Sequence, residues 1–102
     1  MPRRNPPRYS VQLPVSFAWD RQGEGTVHNL SLKGCLIQSE LPVAEGDYFS
    51  LKLALRRQED PVTVQLAAVR WANGRAFGTE FLFFEHHDRE RLQRYPATCW
   101  EC

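Results

Sequence analysis

Val69-Arg70-Trp71-Ala72-Asn73-Gly74-Arg75-Ala76-Phe77-Gly78-Thr79-Glu80-Phe81 is the stretch whose reading decides the fold. Asn-Gly is a strong hairpin signal, because both residue types tolerate the positive φ that a type I′ turn requires. Asn73-Gly74 therefore predicts a two-stranded antiparallel hairpin. On its downstream side, from residue 75 to about 83, Phe77, Thr79 and Phe81 share one face and Gly78 and Glu80 the other. On its upstream side Val62, Val64 and Leu66 keep one apolar phase and Val69 and Trp71 the next, which places a β-bulge at Ala67-Ala68.

Working outward, the same period-two pattern recurs. Phe49, Leu51, Leu53 and Leu55 alternate with polar or small residues over 48–55, after a break at Leu41-Pro42 and Glu45-Gly46-Asp47. Shorter strands are predicted over 35–39 and 26–30, and the turn over 20–25 separates them from a first strand in which Val11, Leu13, Val15, Phe17 and Trp19 alternate with polar or small residues. Pro14, on the outer face of that strand, predicts an edge or a bulge. Beyond Phe84 the period changes: residues 87–95 are rich in Asp, Glu, Arg and Leu, lack β-branched residues and precede Pro96, so one short helix is expected there, packing Leu92 and Tyr95 on the sheet. Six short strands, about a dozen residues apart, followed by one helix predict an all-β fold, a six-stranded antiparallel β-barrel or tightly curled sheet, in which closure removes exposed edges. Trp19, Trp71 and the phenylalanines are assigned to its core; Trp100 is either a packing anchor or an exposed contact.

The bulk properties narrow the function. With 102 residues the chain is one domain, and 42% hydrophobic with 25% charged residues is the balance of an ordinary globular protein. No apolar run approaches the ~20 residues of a membrane span. Arg3 and Arg4 lead into Asn5, Pro6 and Pro7 instead of a signal-peptide core, so a cytoplasmic protein is expected. A net charge of +1 argues against duplex DNA as a partner. The charge is uneven, however: Arg3, Arg4 and Arg8 precede any acidic residue, in a Pro-rich segment (1–8) expected to be an extended, flexible arm. Cys99 and Cys102 form a Cys-x-x-Cys pair with no helix following it, and only Cys35, His86 and His87 stand in reserve as metal ligands; an incidental reduced tail (97–102) is expected, with no metal and no cofactor. The paired histidines lack a nucleophile and a carboxylate in visible roles, so the chain is not expected to be an enzyme.

Two polar motifs remain. Arg4-Asn5-Pro6-Pro7-Arg8 reads Arg-x-x-x-Arg, and Asn29-Leu30-Ser31-Leu32-Lys33-Gly34 reads Asn-x-Ser-x-x-Gly. The second is a turn by composition, since Asn and Ser supply short hydrogen-bonding side chains and Gly permits positive φ or close backbone approach. In this order, with the hairpin of 69–81 behind them, the motifs resemble those of the PilZ domain family, bacterial receptors for cyclic di-GMP. The resemblance covers nearly the whole chain. It implies a PilZ-like six-stranded barrel over 9–96 with a C-terminal helix, and a ligand held between Arg4 and Arg8 on one side and Asn29, Ser31 and Gly34 on the other. Arg3 lies just outside the motif, as an accessory cation or a solvated one. Guanidinium suits the task, because its planar fork meets a phosphate or the O6 and N7 acceptors of guanine. Asn stands at Asn29 where Asp is commoner in the family; its amide oxygen still accepts but carries no charge. Asn29 and Ser31, two apart, are expected on the outer surface with Leu30 facing inward.

The resulting expectation is a stand-alone cyclic di-GMP receptor that orders its arm on binding and acts as an adaptor on an unidentified downstream protein, its oligomeric state open. The alternatives are a protein-interaction module of the same fold that binds no nucleotide, and a small barrel that binds single-stranded nucleic acid through the arm and surface aromatics.

Overall fold

In chain order the elements are β1 (Tyr9–Ala18), β2 (Gln22–Leu30), β3 (Gly34–Ser39), β4 (Tyr48–Leu53), β5 (Val62–Asn73), β6 (Ala76–Phe83) and α1 (His86–Trp100). The computed structural model describes residues 9–19, 22–56 and 59–100, with 95–100 as backbone alone. The strands pair antiparallel in the order β1-β2-β3-β6-β5-β4, and β4 returns to β1 to close a barrel. Six strands and one helix are as expected, but β2 begins at Gln22, inside the segment (20–25) read as a turn, because Gln22 to Gly25 continue the ladder opposite Val15 to Ala18.

Inward positions fill the barrel as the period-two pattern requires. Leu13, Val15 and Phe17 of β1 meet Val27, Leu30, Ile37, Leu51, Leu53, Val62, Val64 and Phe77 in one buried cluster. Phe17 stands edge-on to Phe49 and Phe77, with centroids 5.0 and 5.7 Å apart, a geometry that adds about 0.5–1.5 kcal/mol per pair beyond area burial. Pro14 is accommodated without an open edge. Its carbonyl accepts from Ala54 N (3.1 Å), and the β1–β4 ladder begins only at Val15, so the missing N–H falls where that ladder has ended.

The hairpin of β5 and β6 forms, with its turn one residue later than expected. Asn73 pairs with Ala76, leaving Gly74 and Arg75 as the central residues, and only Gly74 has positive φ (64°). Positive φ at the first central position alone belongs to a type II′ turn, not the type I′ turn that Asn73-Gly74 predicts. Asn73 is spared a positive φ because it closes the ladder.

The bulge expected at Ala67-Ala68 is present as a register shift between Leu66 and Ala67, and a second follows between Val69 and Trp71. The second overturns one core assignment. Val69 faces Thr79 and Trp71 faces Gly78, so one extra residue turns Trp71 outward, where it is 46% exposed. Trp19 is likewise exposed (63%), because β1 ends at Ala18 and the inward layer beside it is already filled by Phe17. Phe83, on the last turnless residue of β6, is also exposed, whereas Phe17, Phe49, Phe77 and Phe81 are buried.

The helix corrects a boundary. It runs through Pro96 to Trp100 instead of stopping at 95. Proline removes the single hydrogen bond to the carbonyl four residues back and kinks a helix there, but the neighbouring bonds remain. Leu92 (1% exposed) plugs α1 into the core, Asp88 Oδ1 accepts from Thr63 N (3.4 Å), and the Arg91 guanidinium donates to the carbonyls of Asp60 and Pro61. The Tyr95 side chain, expected beside Leu92, lies outside the described residues. Among the described residues no helix is long and apolar enough to cross a membrane.

Candidate functional site

The turn from Ser31 to Lys33 joins β2 to β3, and its geometry is fixed by one hydroxyl. Ser31 N donates to Gly34 O (2.9 Å), while Ser31 Oγ accepts from Lys33 N (3.1 Å) and Gly34 N (3.3 Å). Ser31 is only 5% exposed. It does not lie on the outer surface as the sequence predicts, because its oxygen is engaged with the N–H groups of its own turn. Asn29 is half-buried, and among the described residues its carboxamide makes no hydrogen bond. Leu30 faces the core at 1% exposure, as expected.

Gly34 has a close-approach role. Its φ is not positive, but a Cβ there would lie 2.0 Å from the carbonyl oxygen of Thr79 on β6. β3 and β6 therefore meet backbone to backbone at this point, and Phe81 N donates to Lys33 O (2.7 Å) just beyond it. Between the sequence's two readings of this glycine, close approach is the one that applies.

Register then lays out the surface around the turn. Ser10 pairs with Asn29, Asn29 with Leu36, Leu36 with Gly78, and Gly78 with Trp71, so one row of residues crosses β1, β2, β3, β6 and β5 on the outer wall. Adjacent strands are ~4.8 Å apart, which puts Asn29 and Trp71 roughly 14 Å from each other along the row. Trp71 lies flat on the sheet because Gly78 has no side chain; a Cβ there would sit 2.2 Å from the indole Nε1. A cleft of about 300 Å³ opens over this part of the wall, lined among others by Lys33, Gly34, Leu36, Arg70, Trp71 and Glu80. At its rim Arg70 Nε and Nη2 both donate to Glu80 Oε1 at 2.7 Å. The Lys33 ammonium has no ion-pair partner among the described residues.

Tyr9 pairs with Leu30, so the chain enters β1 beside the turn. Arg3, Arg4 and Arg8 themselves lie outside the described residues. Arg75, at the far end of the hairpin, is exposed and pairs with Glu40 at 3.1 Å.

Sequence reasoning missed Lys33, Arg70, Trp71 and Glu80 as a group. The signal for them was the Val69-Arg70-Trp71 and Gly78-Thr79-Glu80 segments, which read as strand and not as site because the second bulge has no mark of its own in the residue pattern. A larger cleft, about 630 Å³, lies between α1 and the segment after β4. Its charges answer one another, Arg56 and Arg91 both approaching Glu59 (3.9 and 3.6 Å), and none of its lining residues belongs to the row, so the smaller cleft is the better candidate. His86 pairs with Glu90 on the helix surface (3.0 Å). Among the described residues no three His, Cys, Asp or Glu side chains gather as metal ligands; Cys102 and the Cys99 side chain lie outside them.

A family model described as the PilZ domain matches residues 2–97. No curated protein sequence matches the chain. Among solved structures, the Bacillus subtilis inhibitor of motility (MotI/DgrA) superposes with a TM-score of 0.78 at 19% identity, over 99% of this chain and 53% of that one, so this chain spans about half of its length. The PilZ domain of YcgR from Escherichia coli, solved with c-di-GMP, gives a TM-score of 0.77 at 17% identity over 98% of this chain and 96% of that one. The PilZ domain of CeSA from a cellulose-synthesizing bacterium gives 0.68 at 12% identity over 93% and 98%. At these identities the likeness is one of fold.

Proposed function

This chain belongs to the PilZ domain family, and from that premise we propose that it is a cyclic di-GMP receptor whose ligand is held between the arm that carries Arg4 and Arg8 and the wall that carries Asn29, the Ser31–Gly34 turn and the adjoining cleft. The observation that carries the reading is register: Tyr9 pairs with Leu30, so the arm joins the barrel beside the turn. That the Asn29 carboxamide and the Lys33 ammonium have no partner among the described residues supports it, as does the structure of the YcgR domain with its dinucleotide.

Ser31 and Gly34 contribute differently from Asn29 in this reading. Ser31 and the close contact at Gly34 shape the turn, and Asn29 meets the ligand. Arm arginines and Lys33 take the phosphates through charge-assisted hydrogen bonds. Closure of the arm over the ligand changes the outer surface of the barrel, and that change is what a downstream protein reads.

Calorimetric titration with cyclic di-GMP, with GTP as control, tests the proposal. Saturable binding of the cyclic dinucleotide and none of GTP is expected. No heat at high dinucleotide concentration would sink it and leave the protein-interaction module standing; affinity for single-stranded nucleic acid that falls steeply with salt and ignores cyclic di-GMP would favour the third reading.

A further inference from the structure

We infer that the cleft beside the turn is a subsite for a guanine base and that Glu80 is its specificity-determining residue, an inference that rests on the receptor function proposed above. The argument begins with charge. Arg70 and Glu80 neutralise each other at the rim, through Nε and Nη2 on the one oxygen Oε1, both at 2.7 Å. A phosphate placed here would be repelled by a carboxylate, whereas an uncharged base would not. Lys33, which has no ion-pair partner among the described residues, lies in the turn itself.

The pair also has the right order of donors and acceptors. Guanine presents the acceptor O6 beside the donors N1–H and N2–H₂, and adenine presents a donor at N6 beside an acceptor at N1. A guanidinium next to a carboxylate can meet all three groups of the first pattern, whereas adenine, turned over, offers it one donor and one acceptor and so one contact fewer. Glu80 Oε2 makes no hydrogen bond among the described residues, and Arg70 Nη1 makes none. Both remain available after the ion pair has formed.

Position is set by the backbone. Glu80 pairs with Gly34 across β3 and β6, so its carboxylate rises from the sheet directly beside the turn, over a neighbour with no side chain to obstruct it. Arg70 is the extra residue of the second β5 bulge, which frees it from the ladder to lean on Glu80. Asn29, two strands away on β2, is uncharged. Glu80 is the negative acceptor on this wall that an aspartate at Asn29 would otherwise supply.

The test compares cyclic di-GMP with cyclic di-inosine monophosphate, which lacks only the N2 amines, and with cyclic di-AMP, against the full chain and its Glu80→Gln variant. Glu80 is about half exposed, so the variant should fold, and an unchanged urea midpoint checks this. The wild-type protein should bind cyclic di-GMP at least tenfold tighter than either the inosine analogue or cyclic di-AMP. Glu80→Gln should weaken cyclic di-GMP about tenfold or more and treat the guanine and inosine ligands nearly alike, the coupling that a pairwise contact produces. An unchanged guanine-to-inosine ratio in Glu80→Gln overturns the inference while leaving the receptor function intact. So does tighter binding of cyclic di-GMP by the variant, which would make Glu80 only the counter-ion that phosphate must displace. Failure of the wild-type protein to bind any of the three ligands overturns both.

Discussion

Tyr9 on β1 and Leu30 on β2 are paired across the barrel wall, one residue short of the buried hydroxyl of Ser31. The strand that follows the arginine motif and the strand that carries the start of the turn motif thus form one antiparallel ladder, and Tyr9 and Ser10 stand opposite Leu30 and Asn29 at its end.

Arg4→Ala and Arg8→Ala should each weaken cyclic di-GMP binding by roughly ten- to a hundredfold, the loss of one charge-assisted contact at about 1.5–3 kcal/mol. Neither should move the unfolding midpoint. Calorimetry of both variants decides the matter, and wild-type affinity in both would remove the arm from the site.

Ser31→Ala should act on stability first. It leaves Lys33 N and Gly34 N without their acceptor in a buried turn, at a cost of about 1–3 kcal/mol. A lower urea midpoint at unchanged slope is the expected signature. Affinity should fall with it, since the wall beside Asn29 depends on the turn.

Gly34→Ala should be worse tolerated than a surface glycine change, because the added carbon meets a backbone carbonyl at 2.0 Å and no side chain can swing aside. Overpacking of this kind costs about 1–3 kcal/mol. Unfolding measured by circular dichroism should show the loss without ligand present.

Leu92→Ala should detach α1. It removes the one described side chain of the helix that is fully buried, and a Leu→Ala change at such a site costs about 2–5 kcal/mol. Hydrogen exchange should then reveal loss of protection over His86–Trp100 well before the barrel opens.

How much of this was legible from residues alone depends on what sets each feature. Period-two alternation carried the six strands, because a half-buried strand has no other way to satisfy both faces, and Asn73-Gly74 located the hairpin to within one residue. Trp71 was assigned to the interior since Val69 fixed the phase and nothing in Val69-Arg70-Trp71 announces an inserted residue. Only the ladder shows it, through Gly78 opposite Trp71. Trp19 failed differently: the alternation was right but the strand ended first, and burial at a barrel end depends on what already fills the layer. The Ser31 side chain was placed by strand logic, whereas the chain had turned and the hydroxyl bonds locally. The pairing of Arg70 with Glu80, ten positions apart, is a consequence of register and could not be read before the bulges were known.

The indole of Trp71, laid flat over Gly78 at the mouth of the cleft, gives the protein a built-in optical reporter. Its emission should respond when the cleft fills, and with Trp19 and Trp100 replaced by phenylalanine it would be the sole tryptophan in the chain. Occupancy could then be followed without a label, at concentrations far below those calorimetry needs.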